Sequence, residues 1–326
     1  MSHRRERFVV SIFLFFLCLQ LAHFVHNGWF MYDLTYSQSL QPRAQRGDTF
    51  RLAIPALIRL ITKIFHFHDG PLIMAGLDFV TGFFSLYLLY LLTVDTPLET
   101  PDRPKDRALK IMCFLAIIQF PIAWVVPWQR PETLPSTLFL AFSLLCLSKI
   151  GSSRLWSLPI LFALPIQAFV RSDVAIIFGI AIALVGLWTI VKHVSQDELR
   201  VSRYYVVLGT LIAIISGGIQ AYLHTLYPEA GVDIQVRTNL GFHGLEVLTI
   251  LLAPFISFFL FLIAKRPPVN IVEKVIIASA LLYLPMYFTF GIAGEARIYV
   301  PFLLILCVVT ARVSASYAST KLDLAS

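Results

Sequence analysis

Charged residues are scarce in this chain. Only 14% of its 326 residues are charged and 58% are hydrophobic, whereas a soluble domain carries about a quarter charged residues. This composition excludes an ordinary soluble protein. Because apolar runs recur along the whole chain, it indicates an integral membrane protein.

Several chemical signatures are also missing. The sequence contains no phosphate-cradling glycine loop, no H-E-x-x-H motif and no Ser-His-Asp pattern. Its four cysteines lie in apolar runs without metal or disulfide spacing: Cys18, Cys113, Cys146 and Cys307. No stretch is long enough for a separate soluble catalytic domain. We therefore predict a single transmembrane domain over residues 1–326.

The first segment combines a basic start, MSHRRER, with the apolar run FVVSIFLFFLCLQLAHFV. This order is typical of a signal peptide, but no A-x-A-like cleavage site follows it. We therefore expect an anchored first helix.

The apolar pattern predicts an all-α polytopic protein with about ten transmembrane helices. The predicted spans are 8–25, 71–92, 111–126, 134–147, 155–170, 174–191, 204–223, 245–264, 275–291 and 298–313. The segment 52–65 is too short to span comfortably and carries Arg59 and Lys63 on one side of a helical apolar pattern. It predicts a short helix lying in the membrane interface.

The distribution of basic residues predicts the orientation. With ten crossings, 17 of the 26 basic residues share the side of both termini, which leaves nine on the other. By the positive-inside rule, both termini are then cytoplasmic. Because the basic residues are spread over short loops, they indicate membrane topology and not a nucleic-acid partner.

The opposite face carries a long first loop, 27–50, and three tight turns that pair an acid with an arginine. The pairs are Arg130 with Glu132, Arg171 with Asp173, and Arg297 with Glu295. Each pair is compatible with a local salt bridge that closes a turn. Their recurrence on one face favours a shared outer cavity, where arginines bind the oxygens of an anionic group.

The remaining polar candidates have two interpretations each. Asp33 is either an interfacial acid or a general base. Asp48 is better suited to capping the interfacial helix, and Asp78 to a hydrogen bond across helices. His243 and Glu246 can point into the cavity. A metal site at His66, His68 and Asp69 is less expected than ordinary interfacial polar residues.

The order of these features resembles the integral-membrane glycosyltransferases of the GT-C type, particularly small bacterial members. The features are a membrane anchor, an acid soon afterwards in FMYDLTY, the segment TFRLAIPALIRL, many later spans and a late GEARIYVPF turn. The resemblance implies that Asp33 is the first-loop carboxylate, that Arg51 lies at the mouth of the interfacial helix, and that Glu295 and Arg297 form a late outer turn. It also implies a bacterial plasma (inner) membrane location with the active face periplasmic or extracellular.

The resemblance further implies a polyprenyl-phosphate-linked sugar donor and a lipid or glycan acceptor. The first loop lacks an adjacent acidic pair or D-x-D, so we predict no metal cofactor, although a divalent metal without such a motif is an alternative. Asp33 would be the base, and the phosphate would bind to Arg51, Arg130, Arg171 and Arg297. The supporting residues would be Glu132, Asp173, Glu295, His243 and Glu246.

Two other classes compete with this hypothesis. A transporter or flippase would use the same arginines to bind a lipid-linked or anionic solute without chemistry. A non-catalytic subunit of an envelope-assembly complex would use the acid–arginine pairs only to close turns.

Overall fold

A computed structural model describes residues 3–28, 53–66, 70–95, 103–124, 132–192, 196–228, 236–241, 270–290 and 299–325. These residues form helices and turns, without any strand. The helices are α1 (His3–Gly28), α2 (Ala53–Phe65), α3 (Gly70–Asp95), α4 (Pro104–Trp124), α5 (Thr133–Lys149), α6 (Ser157–Val191), α7 (Gln196–Leu226), α8 (Val236–Asn239), α9 (Ile271–Phe290) and α10 (Val300–Ala325).

Six helical segments in these ranges are long and apolar enough to cross a membrane. They are His3–His23, Leu72–Asp95, Arg154–Val191, Glu198–Leu226, Ile271–Thr289 and Val300–Thr320. Helix α5 is apolar but shorter. The predicted span 245–264 lies outside the described residues. The fold class is therefore an all-α membrane protein.

Helix α6 folds back on itself at Arg171, whose backbone leaves the helical region (φ −154°, ψ 94°). In a straight helix, Ser157 and Gly186 would lie roughly 43 Å apart at 1.5 Å per residue. Instead, the Tyr204 hydroxyl donates to Ser157 Oγ at 2.5 Å, while a Cβ at Gly186 would lie 2.8 Å from the Ser202 carbonyl oxygen. Both ends of α6 thus reach the same turn of α7, so α6 is a helical hairpin with two arms.

The second arm of α6 packs closely on α7 because small residues face each other. A Cβ added at Gly209 would lie 2.4 Å from Ala183 N and 2.5 Å from the Gly179 carbonyl oxygen. These neighbours are backbone atoms, which cannot move aside without shifting a helix. Glycine at this contact lets the two backbones approach each other, as in other membrane helix pairs.

We expect Gly209→Val to destabilise the protein by about 2–3 kcal/mol, since the added side chain forces the α6 and α7 backbones apart. Gly217→Val is the matched control on the same helix, because a Cβ there meets nothing within 4 Å. Thermal unfolding in detergent measures both. Equal stability of the two variants would contradict the close packing.

A buried ion pair joins α9 to α10. Arg312 is 0% exposed and Glu273 is 1% exposed, with Arg312 Nη1 3.2 Å from Glu273 Oε1. The Asn270 side chain accepts from the Glu273 backbone N–H at 2.9 Å. Arg312 and Lys110 both count among the 17 basic residues on the side of the termini, and the structure buries both side chains.

Six charged side chains connect four helices at one end of the bundle, and we call them the charge clamp: Glu6, Arg7, Asp95, Arg103, Asp106 and Arg107. Arg107 bonds to Glu6 at 2.9 Å and to Asp95 at 3.0 Å, and Arg7 bonds to Asp95 at 2.8 Å. Hydrogen bonds from Arg103 and from Ser319 of α10 hold the pKa of Asp106 below its usual range. The start of α1 and the last turns of α10 therefore lie at the same end.

Candidate functional site

Arg171, Asp173 and Tyr283 form a compact polar group at the fold-back of α6, which we call the hairpin cluster. Arg171 Nη2 donates to Asp173 Oδ2 at 2.6 Å, and Nε donates to Oδ1 at 3.4 Å. The Tyr283 hydroxyl accepts from Arg171 Nη2 and donates to Asp173 Oδ2, both at 2.5 Å. Each of the three groups thus contacts the other two.

The local structure explains how these side chains meet. Because Arg171 leaves the helical conformation, the chain reverses within the sequence Arg171–Ser172–Asp173 and holds the acid beside the arginine. Tyr283 comes from α9, where its ring stacks on Phe302 of α10 at 4.4 Å between ring centroids. The neighbouring Tyr299 hydroxyl donates to the Ala280 carbonyl at 2.8 Å. Aromatic packing therefore fixes the tyrosine against the hairpin.

The polar contacts continue onto α5. Glu132, which precedes α5 and is 7% exposed, lies near enough for its charge to act on Arg171. One turn deeper, Gln167 Nε2 donates to Ser136 Oγ at 2.6 Å, and both residues are fully buried. The structure therefore brings together residues from two of the three predicted acid–arginine turns.

The structure places three of the predicted site residues: Arg171 and Asp173 are in direct contact, and the charge of Glu132 acts on Arg171. The Arg171–Asp173 pair is a local salt bridge across a turn, and it also belongs to a larger polar group. The other predicted site residues lie outside the described residues: Asp33, Arg51, Arg130, His243, Glu246, Glu295 and Arg297.

The sequence prediction missed Tyr283, Gln167 and Ser136. Gln167 carried a usable signal, since it lies four residues before Arg171 and hence on the same helical face. Ser136 is likewise four residues after Glu132. Tyr283 carried no such sequence signal, because a tyrosine in an apolar span is equally typical of ordinary hydrophobic packing.

Accessibility limits what the hairpin cluster can do. Arg171 is 3% exposed, whereas the Asp173 side chain is 26% exposed. An incoming anion would therefore reach Arg171 by competing with Asp173 for its guanidinium. The hairpin cluster therefore places the buried positive charge of Arg171 beside the more accessible carboxylate of Asp173.

Further polar candidates have other expected roles. His66 directly follows α2 and has a positive φ of 51°, while His68 and Asp69 lie outside the described residues. Within the described ranges, no group of three or more His, Cys, Asp or Glu side chains is placed to hold a metal ion. Asp78 is buried in α3, at 1% exposure.

The hairpin cluster and the charge clamp lie at different levels of the bundle. Phe302 stacks on Tyr283, and Ser319 contacts the clamp, which separates the two levels by roughly 25 Å along α10 at 1.5 Å per residue. This is close to the thickness of the hydrocarbon core, about 30 Å. Fold and site together define an all-α membrane protein with polar groups at both levels. No protein family, curated protein or solved structure matches the chain.

Proposed function

We propose that this chain is a membrane glycosyltransferase that transfers a sugar from a polyprenyl-phosphate donor to an acceptor on the outer face of the membrane. It crosses the bilayer about ten times, keeps both termini in the cytoplasm, and lays α2 in the outer interface. The acceptor is a lipid or a glycan. No metal takes part in the proposed reaction.

The observation that supports the proposal is the convergence of Glu132, Arg171 and Asp173 at the level opposite the charge clamp. A buried arginine is costly within a membrane and is typical of a functional site. Its planar guanidinium suits phosphate oxygens and stays charged. Such a group fits a donor whose phosphate lies at the membrane surface and whose lipid tail lies among the helices.

In the proposed reaction, the acceptor hydroxyl attacks the anomeric carbon while Asp33 takes its proton. The bond from that carbon to the phosphate oxygen breaks, and the lipid phosphate leaves with the electron pair. Arg171, together with Arg51, Arg130 and Arg297, stabilises the charge that grows on the leaving phosphate. Preorganised charges of this kind are often the largest contribution to catalysis.

Replacing Asp33 with asparagine tests the assignment of the base. In proteoliposomes supplied with a radiolabelled polyprenyl-phosphate sugar and lipid acceptors, we expect Asp33→Asn to lower the transfer rate at least about 100-fold, because general-base catalysis is lost. Asp48→Asn is the matched control in the same loop, since asparagine also caps helices well. Full activity of Asp33→Asn would contradict the role of Asp33, and no transfer by the wild type with any such donor would contradict the function.

The buried Glu273–Arg312 pair favours a second candidate function. A transporter or flippase has charged groups in both halves of the membrane, and this pair lies roughly 15 Å along α9 from Tyr283 at 1.5 Å per residue. The same proteoliposomes separate the two functions. A glycosyltransferase yields a new glycosidic bond, whereas a flippase moves the labelled lipid between leaflets unchanged.

A further inference from the structure

Two groups of basic residues at the clamp end of the bundle have different partners. In the charge clamp, Arg7, Arg103 and Arg107 each pair with a carboxylate. In the second group, Lys149, Arg154 and Lys192 have no carboxylate partner in the described part of the chain. The clamp largely neutralises itself, whereas no carboxylate of the described residues neutralises the second group.

Each cation of the second group lies over an aromatic ring. Lys149 Nζ is 4.5 Å from the centre of the Trp156 ring, and Lys192 Nζ is 4.9 Å from that of Trp188. The Arg154 guanidinium carbon is 5.5 Å from the centre of the Tyr204 ring. We call these three pairs the cationic rim. A ring face attracts a cation but does not cancel its charge.

The three pairs lie at one end of the α6–α7 packing. Tyr204, the aromatic partner of Arg154, donates a hydrogen bond to Ser157 at the start of α6. Gly186, two residues before Trp188 of the Lys192 pair, packs against Ser202 near the start of α7. The turn that precedes α6 adds an exposed hydroxyl from Ser152. The three pairs of the rim therefore lie at the same end of the α6–α7 packing, where α5 and α6 end and α7 begins.

The surface beside the rim is apolar and exposed. Leu155 is 72% exposed, Val191 is 69% exposed and Val207 is 57% exposed, and Trp188 itself is 60% exposed. Tryptophan and tyrosine are typical of the level where lipid headgroups meet the hydrocarbon core. Long basic side chains at that level extend their charges toward the headgroups.

We propose that the cationic rim binds the headgroups of anionic phospholipids. The rim offers unneutralised positive charge at headgroup level, next to a surface that accepts acyl chains. A zwitterionic headgroup gains less binding free energy at the rim, because its own positive group is repelled by the same three side chains. This site is separate from the hairpin cluster, so it does not depend on the proposed sugar transfer.

Competition between brominated lipids tests this proposal. The purified chain is reconstituted in mixtures of brominated phosphatidylglycerol and phosphatidylcholine, and quenching of its tryptophan fluorescence gives their relative association constants. We expect the wild type to prefer phosphatidylglycerol at least about five-fold, from roughly 1 kcal/mol per basic residue near an anionic surface. The triple variant Lys149→Gln, Arg154→Gln, Lys192→Gln should lower that preference to within about two-fold.

Two further variants separate the rim from general charge and from misfolding. The pair Arg7→Gln and Arg103→Gln removes exposed cations that already have carboxylate partners, so it should leave the preference unchanged. The triple variant Lys149→Arg, Arg154→Lys, Lys192→Arg keeps the charges and should keep the preference. Persistence of the wild-type preference in the glutamine triple variant, or an equal loss in the Arg7 and Arg103 variant, would overturn the proposal.

Discussion

Replacing Arg312 with methionine is expected to destabilise the protein by about 3–5 kcal/mol, because it leaves the Glu273 carboxylate without its buried counter-charge. Both side chains are at most 1% exposed, so water cannot solvate the remaining charge. The free energy of unfolding in mixed detergent micelles, measured by SDS titration, gives the effect. Arg200→Met is the control, since Arg200 lies exposed near the start of α7 and its loss should cost less than about 0.5 kcal/mol.

A double variant shows whether the loss comes from the unpaired charge. Glu273→Leu combined with Arg312→Met replaces the whole ion pair by apolar groups, which often costs little in a buried site. We expect the double variant to be more stable than either single variant. If instead the two losses simply added, the pairing of Glu273 with Arg312 would not explain them.

The sequence predicted the helical organisation well wherever hydropathy determined it. The polar interruption VRSD between two apolar runs predicted a break, and α6 does reverse at Arg171. Apolar residues at helical spacing also predicted the short helix over 52–65, and α2 buries Ile54, Pro55 and Ile58 on one side. In both segments the signal is local, because burial of an apolar face needs only the residues of one helix.

Contacts between distant helices were much less predictable. Tyr283 meets Arg171 across 112 positions of sequence, and no local pattern indicates which helices become neighbours. Glu132 lies where its charge acts on Arg171 of the α6 hairpin, 39 positions away, and no local pattern indicates that neighbour. Arg312 lies within the predicted span 298–313, but no local pattern indicated its partner Glu273, which lies on another helix.

The second large prediction concerns the side of the membrane on which the hairpin cluster lies. All the functional proposals place that cluster outside and the charge clamp inside. Thr225 is exposed near the end of α7, on the helix that packs along the hairpin, and Ser152 is exposed in the turn between α5 and α6. Because these positions belong to opposite ends of the α6–α7 packing, a cysteine at each reports one side of the membrane.

The most direct measurement is labelling of these single cysteines in intact cells with a membrane-impermeant maleimide. The native Cys18, Cys113, Cys146 and Cys307 are first replaced by alanine. The proposed orientation predicts complete labelling of Thr225→Cys from outside, and labelling of Ser152→Cys only after the membrane is permeabilised. Labelling of both positions from the same side, or of Ser152→Cys alone from outside, would contradict an outward-facing site at Arg171.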